Sequence, residues 1–253
     1  MRTPTDDRQE TLLISDLHLE RRRPDITRQF LAFLEEEAQR AERLYILGDL
    51  FEAWVGDDAI GDFEREIAAG IRGVADSGTY VGFIAGNRDF LLGDAFCRLA
   101  GMQRLEEPEI VDLYGVPTVL LHGDVLCTAD RDYQAFRRRT RDPSWQRRML
   151  ARPVWFRRTI AALMRTVSRW RGRRAPDEIM DVTGQAVREL FRETGVRRMV
   201  HGHTHRPARH AVDLGEVSAE RIVLGDWYDQ GSVLRIDHGG ADLRSMSRDR
   251  TPG

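Results

Sequence analysis

Seven side chains of the kinds that bind transition-metal ions stand directly after short apolar segments of this 253-residue chain. They are Asp16, His18, Asp49, Asn87, His122, His203 and His205. Imidazole nitrogens mixed with carboxylate oxygens suit Mn, Fe, Zn or Co better than Ca, which prefers oxygen ligands alone. Seven ligands are too many for one such ion, but they suit two ions about 3.5–4 Å apart that share one carboxylate. Asp49 is the candidate for the shared carboxylate.

The spacing of two pairs of these residues adds to the prediction. Asp16 and His18 are two positions apart, and so are His203 and His205. Because side chains two positions apart on an extended strand point to the same side, each pair is expected to offer two ligands together. A single His is more often a core residue, and an Asp or Asn after Gly is more often a turn residue. Five segment ends that all carry ligand types favour a metal site.

The apolar segments before these residues are predicted to be buried strands separated by helices. The expected strands are 11–15, 44–47, 80–85, 116–121, 198–200, 221–224 and 233–236, and the expected helices are 24–40, 60–75 and 177–191. Gly48 lets the chain turn sharply between the second strand and Asp49. Alternating strands and helices indicate a layered α/β fold, in which ligands bind at the carboxyl ends of the strands.

The segment from Tyr133 to about Arg174 has a different pattern. It contains no convincing strand, and its apolar and aromatic residues alternate with Arg as in two or three amphipathic helices broken at Pro143 and Pro153. Between Arg137 and Arg174, fourteen Arg face one acid, Asp142. Residues 171–176 are predicted to close this insert as a loop.

Three interpretations of the Arg-rich insert stay open on the residues alone. It could be a solvated helical hairpin, or a cap whose apolar face shelters acyl chains while its Arg face meets anionic phospholipid. Arg with interspersed aromatic residues would also fit contact with a nucleic-acid backbone.

The composition of the chain argues against several classes of protein. All 39 basic residues are Arg, and the net charge of −2 gives no general attraction to nucleic acid or membrane. Two cysteines imply no disulfide framework and fit a reducing compartment. The polar N-terminus does not resemble a signal peptide, and no apolar run approaches the roughly 20 residues that span a bilayer. The expectation is a soluble protein or one attached to a membrane surface.

The order of the motifs resembles the calcineurin-like metallophosphoesterase superfamily. The motifs are Asp16-x-His18, Gly48-Asp49, Gly86-Asn87-x-Asp89, His122 and Gly202-His203-x-His205. Longer strings, including 45–54, 86–93, 122–130, 133–137 and 201–208, resemble the UDP-2,3-diacylglucosamine diphosphatase family of bacterial lipid A biosynthesis. The similarity covers about residues 11–236 and is weakest in 138–176. It implies a layered αββα metallophosphoesterase sandwich, with the core in 11–130 and 177–245, a helical cap insertion in 131–176 and a flexible N-terminus in 1–10.

The resemblance also implies ligands, substrate and reaction. One Mn²⁺ would be held by Asp16, His18, Asp49 and His205, and a second by Asp49, Asn87, His122 and His203. The reaction would be hydrolysis of the pyrophosphate of UDP-2,3-diacylglucosamine by water attack on the α-phosphorus, giving UMP and 2,3-diacylglucosamine 1-phosphate. Residues that would contact substrate are Asn87, Arg88, Asp130, Tyr133, Arg137, Ser168 and His203. The implied location is peripheral, at the cytoplasmic face of the inner membrane, and no stable nucleic-acid partner is expected.

Arg88 bears on the choice of substrate, and it is predicted to be catalytic with Asp49, Asn87 and His203. Many members of the superfamily have His in its place. The pKa of an Arg is above about 12, so Arg88 cannot give a proton to an alkoxide, but its guanidinium can neutralise a phosphate leaving group. The pair Asn87-Arg88 thus favours an anhydride substrate.

Two other functions stay open. The chain could be a phosphoesterase acting on nucleotides or nucleic acid, or a scaffold that binds no metal.

Several further residues near the site have less certain roles. Asp89 is expected to anchor His18 or the local backbone, and Glu52, Trp54 and Asp124 either line the site or are structural. His201 is as well explained by packing as by the site. Where the family has cap Asn and Lys, this chain has Gly172 and Ala175, and Arg169, Arg171, Arg173 or Arg174 is the candidate for the missing cation.

Overall fold

The first layer of strands is a six-stranded mixed sheet. The computed structural model describes residues 9–172, 181–215, 217–228 and 231–246, and for 167–172 it describes the backbone only. Three parallel strands, β1 (Glu10–Ile14), β2 (Arg43–Leu47) and β3 (Tyr80–Ile84), form the middle of this sheet. The short β4 (Gln103–Arg104) extends it on one side. On the other side β10 (Gly231–Asp237) pairs antiparallel with β1 and with β11 (Gly240–Met246).

The second layer is a five-stranded sheet. Its strands are β5 (Glu109–Leu113), β6 (Val116–Leu120), β7 (Arg198–His201), β8 (Ala208–Asp213) and β9 (Ser218–Val223). They lie in the order β5-β6-β7-β9-β8, and β6, β7 and β9 run parallel. The parallel strands of both sheets are the ones that precede the predicted site residues.

Strand periodicity explains how the two sheets stack. Leu12 and Ile14 of β1 pack under the helices, whereas Leu13 points the other way, into a core shared with Leu120 and Val200 of the second sheet. Since successive strand residues face opposite sides, β1 is apolar on both faces and is buried between two layers.

Helices cover the outer face of each sheet. On the first sheet lie α1 (Pro24–Glu36), α2 (Asp62–Asp76) and α3 (Asp94–Ala100). On the second sheet, α7 (Gly184–Thr194) packs Val187 and Phe191 against Val119 and Met199. The order of layers is therefore helix, sheet, sheet, helix, which confirms the predicted αββα sandwich.

Three helices form the Arg-rich insert between β6 and α7. They are α4 (Arg131–Arg141), α5 (Pro143–Leu150) and α6 (Val154–Gly172). The break at Pro143 is confirmed: Asp142 caps α5 with a carboxylate that accepts the Trp145 N–H at 2.8 Å, and Pro143 occupies its first turn. Pro153 directly precedes α6, as expected of a residue that cannot continue a helix. None of the described helices combines the length and apolar character required to cross a bilayer.

Several predicted boundaries are wrong. Of the helix expected over 177–191, residues 177–180 lie outside the described residues and 181–183 are not helical; the described helix begins at Gly184, with Thr183 as N-cap accepting the Ala186 N–H at 3.3 Å. The loop expected from residue 171 is helical through Gly172. The prediction missed five elements. Helix α3 and strand β4 are short, and β5, β8 and β11 are strands with many exposed residues and weakly apolar sequences. Residues 1–8 and 173–180 lie outside the described residues, so the flexible N-terminus and the boundaries of the cap stay predictions.

Candidate metal centre

The seven predicted ligands meet where parallel strands of the two sheets end. Asp16 and His18 follow β1, Asp49 follows β2, and Asn87 follows β3. From the second sheet, His122 follows β6, and His203 and His205 follow β7. Backbone hydrogen bonds join the loops in pairs: the Asp16 N–H donates to Gly48 O at 3.1 Å, and the Gly202 N–H donates to His122 O at 2.9 Å.

Asp16, His18 and His205 form a first group. His205 Nε2 lies 3.2 Å from Asp16 Oδ1, and His18 Nε2 lies 4.0 Å from the same oxygen. Asp16 and His18 are buried, and the His205 side chain is 30% exposed. Three donor atoms from two sheets thus converge within the spacing that a single cation could bridge.

Asn87, His122 and His203 form a second group. The Asn87 side-chain oxygen lies 2.9 Å from His122 Nε2 and 3.0 Å from His203 Nδ1. The His203 backbone N–H donates to Asp16 Oδ2 at 2.9 Å, so the two groups adjoin.

Asp49 lies between the groups and turns one carboxylate oxygen towards each. Its Oδ2 is 3.8 Å from His18 Nε2, and its Oδ1 is 3.8 Å from His122 Nε2. The Arg88 backbone N–H donates to Oδ1 at 2.8 Å and fixes the orientation of the carboxylate. This is the position that a carboxylate shared between two ions would need.

The backbone of the ligand residues differs from the prediction. Asp16 and His18 have positive φ of 55° and 50°, as do Asp49 (53°), His203 (69°) and His205 (56°). These residues lie in the left-handed region, beyond the strand ends, so the alternation of an extended strand does not bring each pair together. The prediction of convergence stands, but its stated reason is wrong: the turn after each strand aims the side chains.

Two glycines allow the loops to approach. Gly48 has φ of 86°, and a Cβ there would lie 2.6 Å from Gly86 Cα and from His122 Nδ1. A Cβ on Gly86 would lie 2.2 Å from Asp49 Oδ1. Real Cβ atoms essentially never come within 3.0 Å of such neighbours, so any larger residue would push Asp49 or His122 away.

Carboxylates behind the imidazoles orient them. His18 Nδ1 lies 3.1 Å from Glu52 Oε2, and His205 Nδ1 lies 3.1 Å from Asp226 Oδ2. Asp89 instead accepts the Leu50 and Gly86 backbone N–H groups, each at 2.7 Å, which confirms the backbone alternative for its role. Sequence reasoning missed Asp226. Leu224-Gly225-Asp226 after β9 has the same strand–Gly–Asp signal as Leu47-Gly48-Asp49 and could have revealed it.

Charges in the cluster favour a bound cation. Burial alone would raise the pKa of Asp16, but the nearby imidazoles, above all His205, hold it well below its usual value. Burial would lower the pKa of His205, yet Asp16 and Asp226 raise it to about 10. For His122, Asp49 and Asp16 likewise outweigh burial and raise the pKa to about 9. The buried carboxylates therefore draw positive charge onto the imidazoles, a place that a metal ion can take instead.

One buried atom supports the same conclusion. His18 Nε2, which faces Asp16 and Asp49, has no hydrogen-bond partner among the described residues. An orphaned buried ring nitrogen is costly unless it binds something. The donor set and this free nitrogen fit the divalent metal that the fold implies.

The predicted substrate residues of the cap are already engaged with the protein. Asp130 caps α4 by accepting the Tyr133 N–H at 2.9 Å, and the Tyr133 hydroxyl donates to Asp124 Oδ2 at 2.5 Å. Arg137 lies 2.5 Å from Glu107 and 3.0 Å from Asp124. Their roles toward substrate stay predictions, and the Ser168 side chain lies outside the described residues.

Helix α4 reaches the strand ends through these contacts. Glu107, which was not predicted as a site residue, accepts the His122 backbone N–H at 2.7 Å. Arg141 donates to Gly86 O at 3.0 Å, directly before Asn87. Asp124 is thus part of a buried charged cluster beneath the cap.

Three further residues were considered from the sequence, namely Arg88, Trp54 and His201. Burial and Glu52 raise the pKa of Tyr228, the tyrosine that stacks on His18, and the positive charge of the half-buried Arg88 opposes this rise. Trp54 is structural, since its indole N–H donates to Asp57 at 3.0 Å and its ring packs on Phe96. The hydrogen-bond distances of the buried His201 ring are to Gly202 O at 2.8 Å and to Arg221 at 3.1 Å, which favours packing.

Comparisons with known proteins agree with this geometry. The model of the family described as calcineurin-like phosphoesterase matches residues 10–207. A UDP-2,3-diacylglucosamine hydrolase of Pseudomonas aeruginosa is 53% identical over 231 residues, which are 90% of this chain and 95% of that one. The hydrolase of the same name from Azotobacter vinelandii is 53% identical, covering 92% and 97%. That from Stenotrophomonas maltophilia is 50% identical, covering 94% and 99%.

Proposed function

The chain belongs to the calcineurin-like phosphoesterases and, within them, to the UDP-2,3-diacylglucosamine hydrolases, and from this membership we propose its reaction. It hydrolyses the pyrophosphate bond of UDP-2,3-diacylglucosamine, a step of lipid A biosynthesis. Water attacks the α-phosphorus, and the products are UMP and 2,3-diacylglucosamine 1-phosphate. The observation that carries the proposal is the position of Asp49, with one oxygen toward each of two groups of ligands.

Two divalent ions, Mn²⁺ in our proposal, complete the site. Asp16, His18, Asp49 and His205 hold one, and Asp49, Asn87, His122 and His203 hold the other. When bound, such a pair acidifies a water and neutralises phosphoryl oxygens. The buried carboxylates and the free His18 nitrogen support this assignment.

The chain's own groups would act on the substrate as follows. The Asn87 amide and the His203 ring lie side by side and orient the attacked phosphoryl group. Arg88 carries no transferable proton at neutral pH, so its guanidinium stabilises the negative charge of the departing phosphate. A phosphate needs no proton to leave, because its last ionisation has a pKa near about 6. These roles suit an anhydride better than an ester.

Phosphorus NMR of the Mn-loaded protein tests the reaction. UDP-2,3-diacylglucosamine should be consumed in ¹⁸O-labelled water with the label in UMP, and a simple phosphodiester should be left intact. Label in the lipid phosphate would overturn attack at the α-phosphorus. Preferential cleavage of the diester would favour a nucleotide or nucleic-acid phosphoesterase. Arg88→His should slow turnover of the anhydride and leave Mn²⁺ affinity unchanged.

The cap supports a lipid substrate. A groove of about 630 Å³ lies between α4, α5 and the start of α6. Its apolar lining is Trp145, Met149 and Phe156, and Arg139, Arg148 and Arg152 surround it. An acyl chain would fill such a groove while a phosphate stays near the arginines.

The outer surface of α6 supports peripheral binding at the cytoplasmic face of the inner membrane. Trp155 is 69% exposed and Leu163 is 60% exposed, on a helix that also carries Arg. Apolar side chains beside cations bind anionic bilayers, at about 1 kcal/mol for each Arg near the surface. Sedimentation with anionic vesicles should exceed that with neutral vesicles. A stronger shift of duplex DNA at the same salt concentration would contradict this assignment.

A further inference from the structure

The two groups of proposed ligands have different supports. In the first group, the ring nitrogen remote from the centre lies 3.1 Å from a carboxylate in both His18 and His205. The carboxylates are those of Glu52 and Asp226. A carboxylate on the far nitrogen fixes the tautomer of the ring and makes the inward nitrogen a stronger donor. Each Nε2 is accordingly turned towards Asp16.

One short segment after β9 holds this support in place. The Tyr228 ring stacks on His18 with centroids 5.0 Å apart, and its hydroxyl donates to Glu52 at 3.4 Å. The Tyr228 backbone N–H donates to Asp226 at 2.9 Å. The Trp227 N–H donates to the backbone oxygen of Asp16 at 3.2 Å. The segment 226–228 therefore contacts both the first group and the carboxylates that support it.

The imidazoles of the second group have neutral hydrogen-bond partners. His122 Nδ1 lies 2.9 Å from the backbone oxygen of Leu47, and the atom shared by His122 and His203 is the amide oxygen of Asn87. Among the described residues, the carboxylates within reach of His122 are Asp49 and Asp16, and the first group shares both.

Two acids, Asp124 and Glu107, also lie near the second group, but arginine side chains offset part of their negative charge. Asp124 and Glu107 contact Arg137 at 3.0 Å and 2.5 Å, and Arg141 lies 3.8 Å from Asp124. Arg137 and Arg141 therefore offset part of the negative charge that Asp124 and Glu107 direct at His122. The first group differs in having two further carboxylates directly on its imidazoles, besides the shared Asp16 and Asp49.

We propose that the two cation sites are unequal, that the site of Asp16, His18 and His205 fills first, and that Glu52 and Asp226 are the positioning residues that set this order. The inference rests on the metal assignment of the proposed function. Removing a carboxylate behind a ligating His costs about 10–100-fold in metal affinity. A chain with one equivalent of metal therefore carries it in the first site, and the second site fills at higher concentration.

Titration of metal-free protein with Mn²⁺ tests the order without substrate. Calorimetry, with free Mn²⁺ counted by its aqueous EPR signal, should give two classes of site that differ by at least about tenfold. With one equivalent of Mn²⁺, the anomalous-scattering peak should lie beside Asp16 and His205. Two equal sites, or a first peak beside His122, would overturn the proposal even if no variant could be made.

Substitution of Glu52 or Asp226 tests whether these carboxylates cause the difference in affinity between the two sites. Asp226→Asn and Glu52→Gln should weaken the tighter class by about 10–100-fold and leave the weaker class in place. Asp62→Asn, at an exposed position in the first turn of α2, is the control and should change neither class. Weakening of both classes alike would show a general structural effect and contradict positioning. Two unequal ions on a protein that leaves the nucleotide lipid intact would refute the proposed function and not this inference.

Discussion

At the scale of single residues, the site stores backbone strain. Asp16, His18, Asp49, His203 and His205 all have positive φ, a region that costs non-glycine residues about 1–3 kcal/mol each. Asp and His tolerate this region better than β-branched residues do. Residue type therefore indicated which side chains could bind a metal, but not the turn geometry that aims them, because the surrounding packing imposes it.

Gly86→Ala should disable the site more than it destabilises the fold. The new Cβ would lie 2.2 Å from Asp49 Oδ1, so the carboxylate between the two groups must move. We expect hydrolysis to fall by about 100-fold or more, in line with the several kcal/mol that a metal pair contributes. Steady-state kinetics and Mn²⁺ titration would measure this.

Gly73→Ala is the matched control for that variant. Gly73 lies within α2, and a Cβ there would meet only Gln39 Nε2 at 3.6 Å, an ordinary contact. Activity should be unchanged, and stability should rise by up to about 1 kcal/mol because Ala favours a helix over Gly. Equal loss of activity in both variants would contradict the role given to Gly86.

At the scale of elements, α4 is an integral part of the site. Through Tyr133, Arg137 and Arg141 it contacts the ends of β6 and β3, from which His122 and Asn87 emerge. The sequence predicted a cap over the substrate. It could not show that the first cap helix also supports the strand ends, because Glu107 and Asp124 become its partners only in the folded chain.

Arg137→Gln should destabilise the fold strongly at neutral pH. It leaves the buried acids Asp124 and Glu107 without their closest cation, and breaking a buried pair costs about 3–5 kcal/mol. Burial already raises the pKa of Glu107, and loss of Arg137 would raise it further. A group with a raised folded-state pKa destabilises the fold above that pKa, so the deficit should shrink as the pH falls and Glu107 takes up a proton.

Urea denaturation at two pH values would measure that deficit. Arg138→Gln, at the exposed neighbouring position of α4, should match the wild type at both. A deficit for Arg137→Gln that stays constant or grows on acidification would contradict the assignment to Glu107.

Helix α6 is tied to the core by one buried arginine. The Arg157 guanidinium is 2% exposed and binds the Val55 backbone oxygen and Asp58 in the loop after β2. Arg157→Ala should speed amide hydrogen exchange in α5 and α6 without affecting β1–β3. Hydrogen bonds to charged groups contribute about 1.5–3 kcal/mol. Arg158→Ala, at an exposed position, should leave exchange unchanged; a uniform change across all strands would contradict a local tie.

At the scale of the whole molecule, the two cysteines report on the packing of the layers. Burial raises the pKa of both Cys97 and Cys127 to about 12, so neither is a thiolate at pH 8 in the folded protein. In the unfolded chain the pKa returns to about 8.5. A thiol reagent at pH 8 should therefore modify neither cysteine natively and both in denaturant. Rapid labelling of either native thiol would show that its layer opens.

The sequence predicted the layers and the convergence of the ligands because both depend on local signals. Buried parallel strands such as Leu44–Leu47 are continuously apolar, and each ends in a residue with metal-binding chemistry. The elements it missed lack that signal: β8 is largely exposed, and α3 begins after Gly93 with only seven residues. Asp226 carries a strand–Gly–Asp signal, but Glu107 acquires its supporting role through contacts between distant parts of the chain, which residue type alone cannot reveal.

The position of the centre at the seam between the sheets has a mechanical consequence. Asp16 follows a strand of one sheet and His205 follows a strand of the other, so an ion bonded to both would add a link between two layers already joined there by the hydrogen bond from the Trp227 N–H to Asp16 O. Emptying the centre would then loosen the sandwich along this edge first. The opposite end of the strands, where Arg43 donates to Asp112 O and Tyr114 donates to Glu42 between the two sheets, would be unaffected.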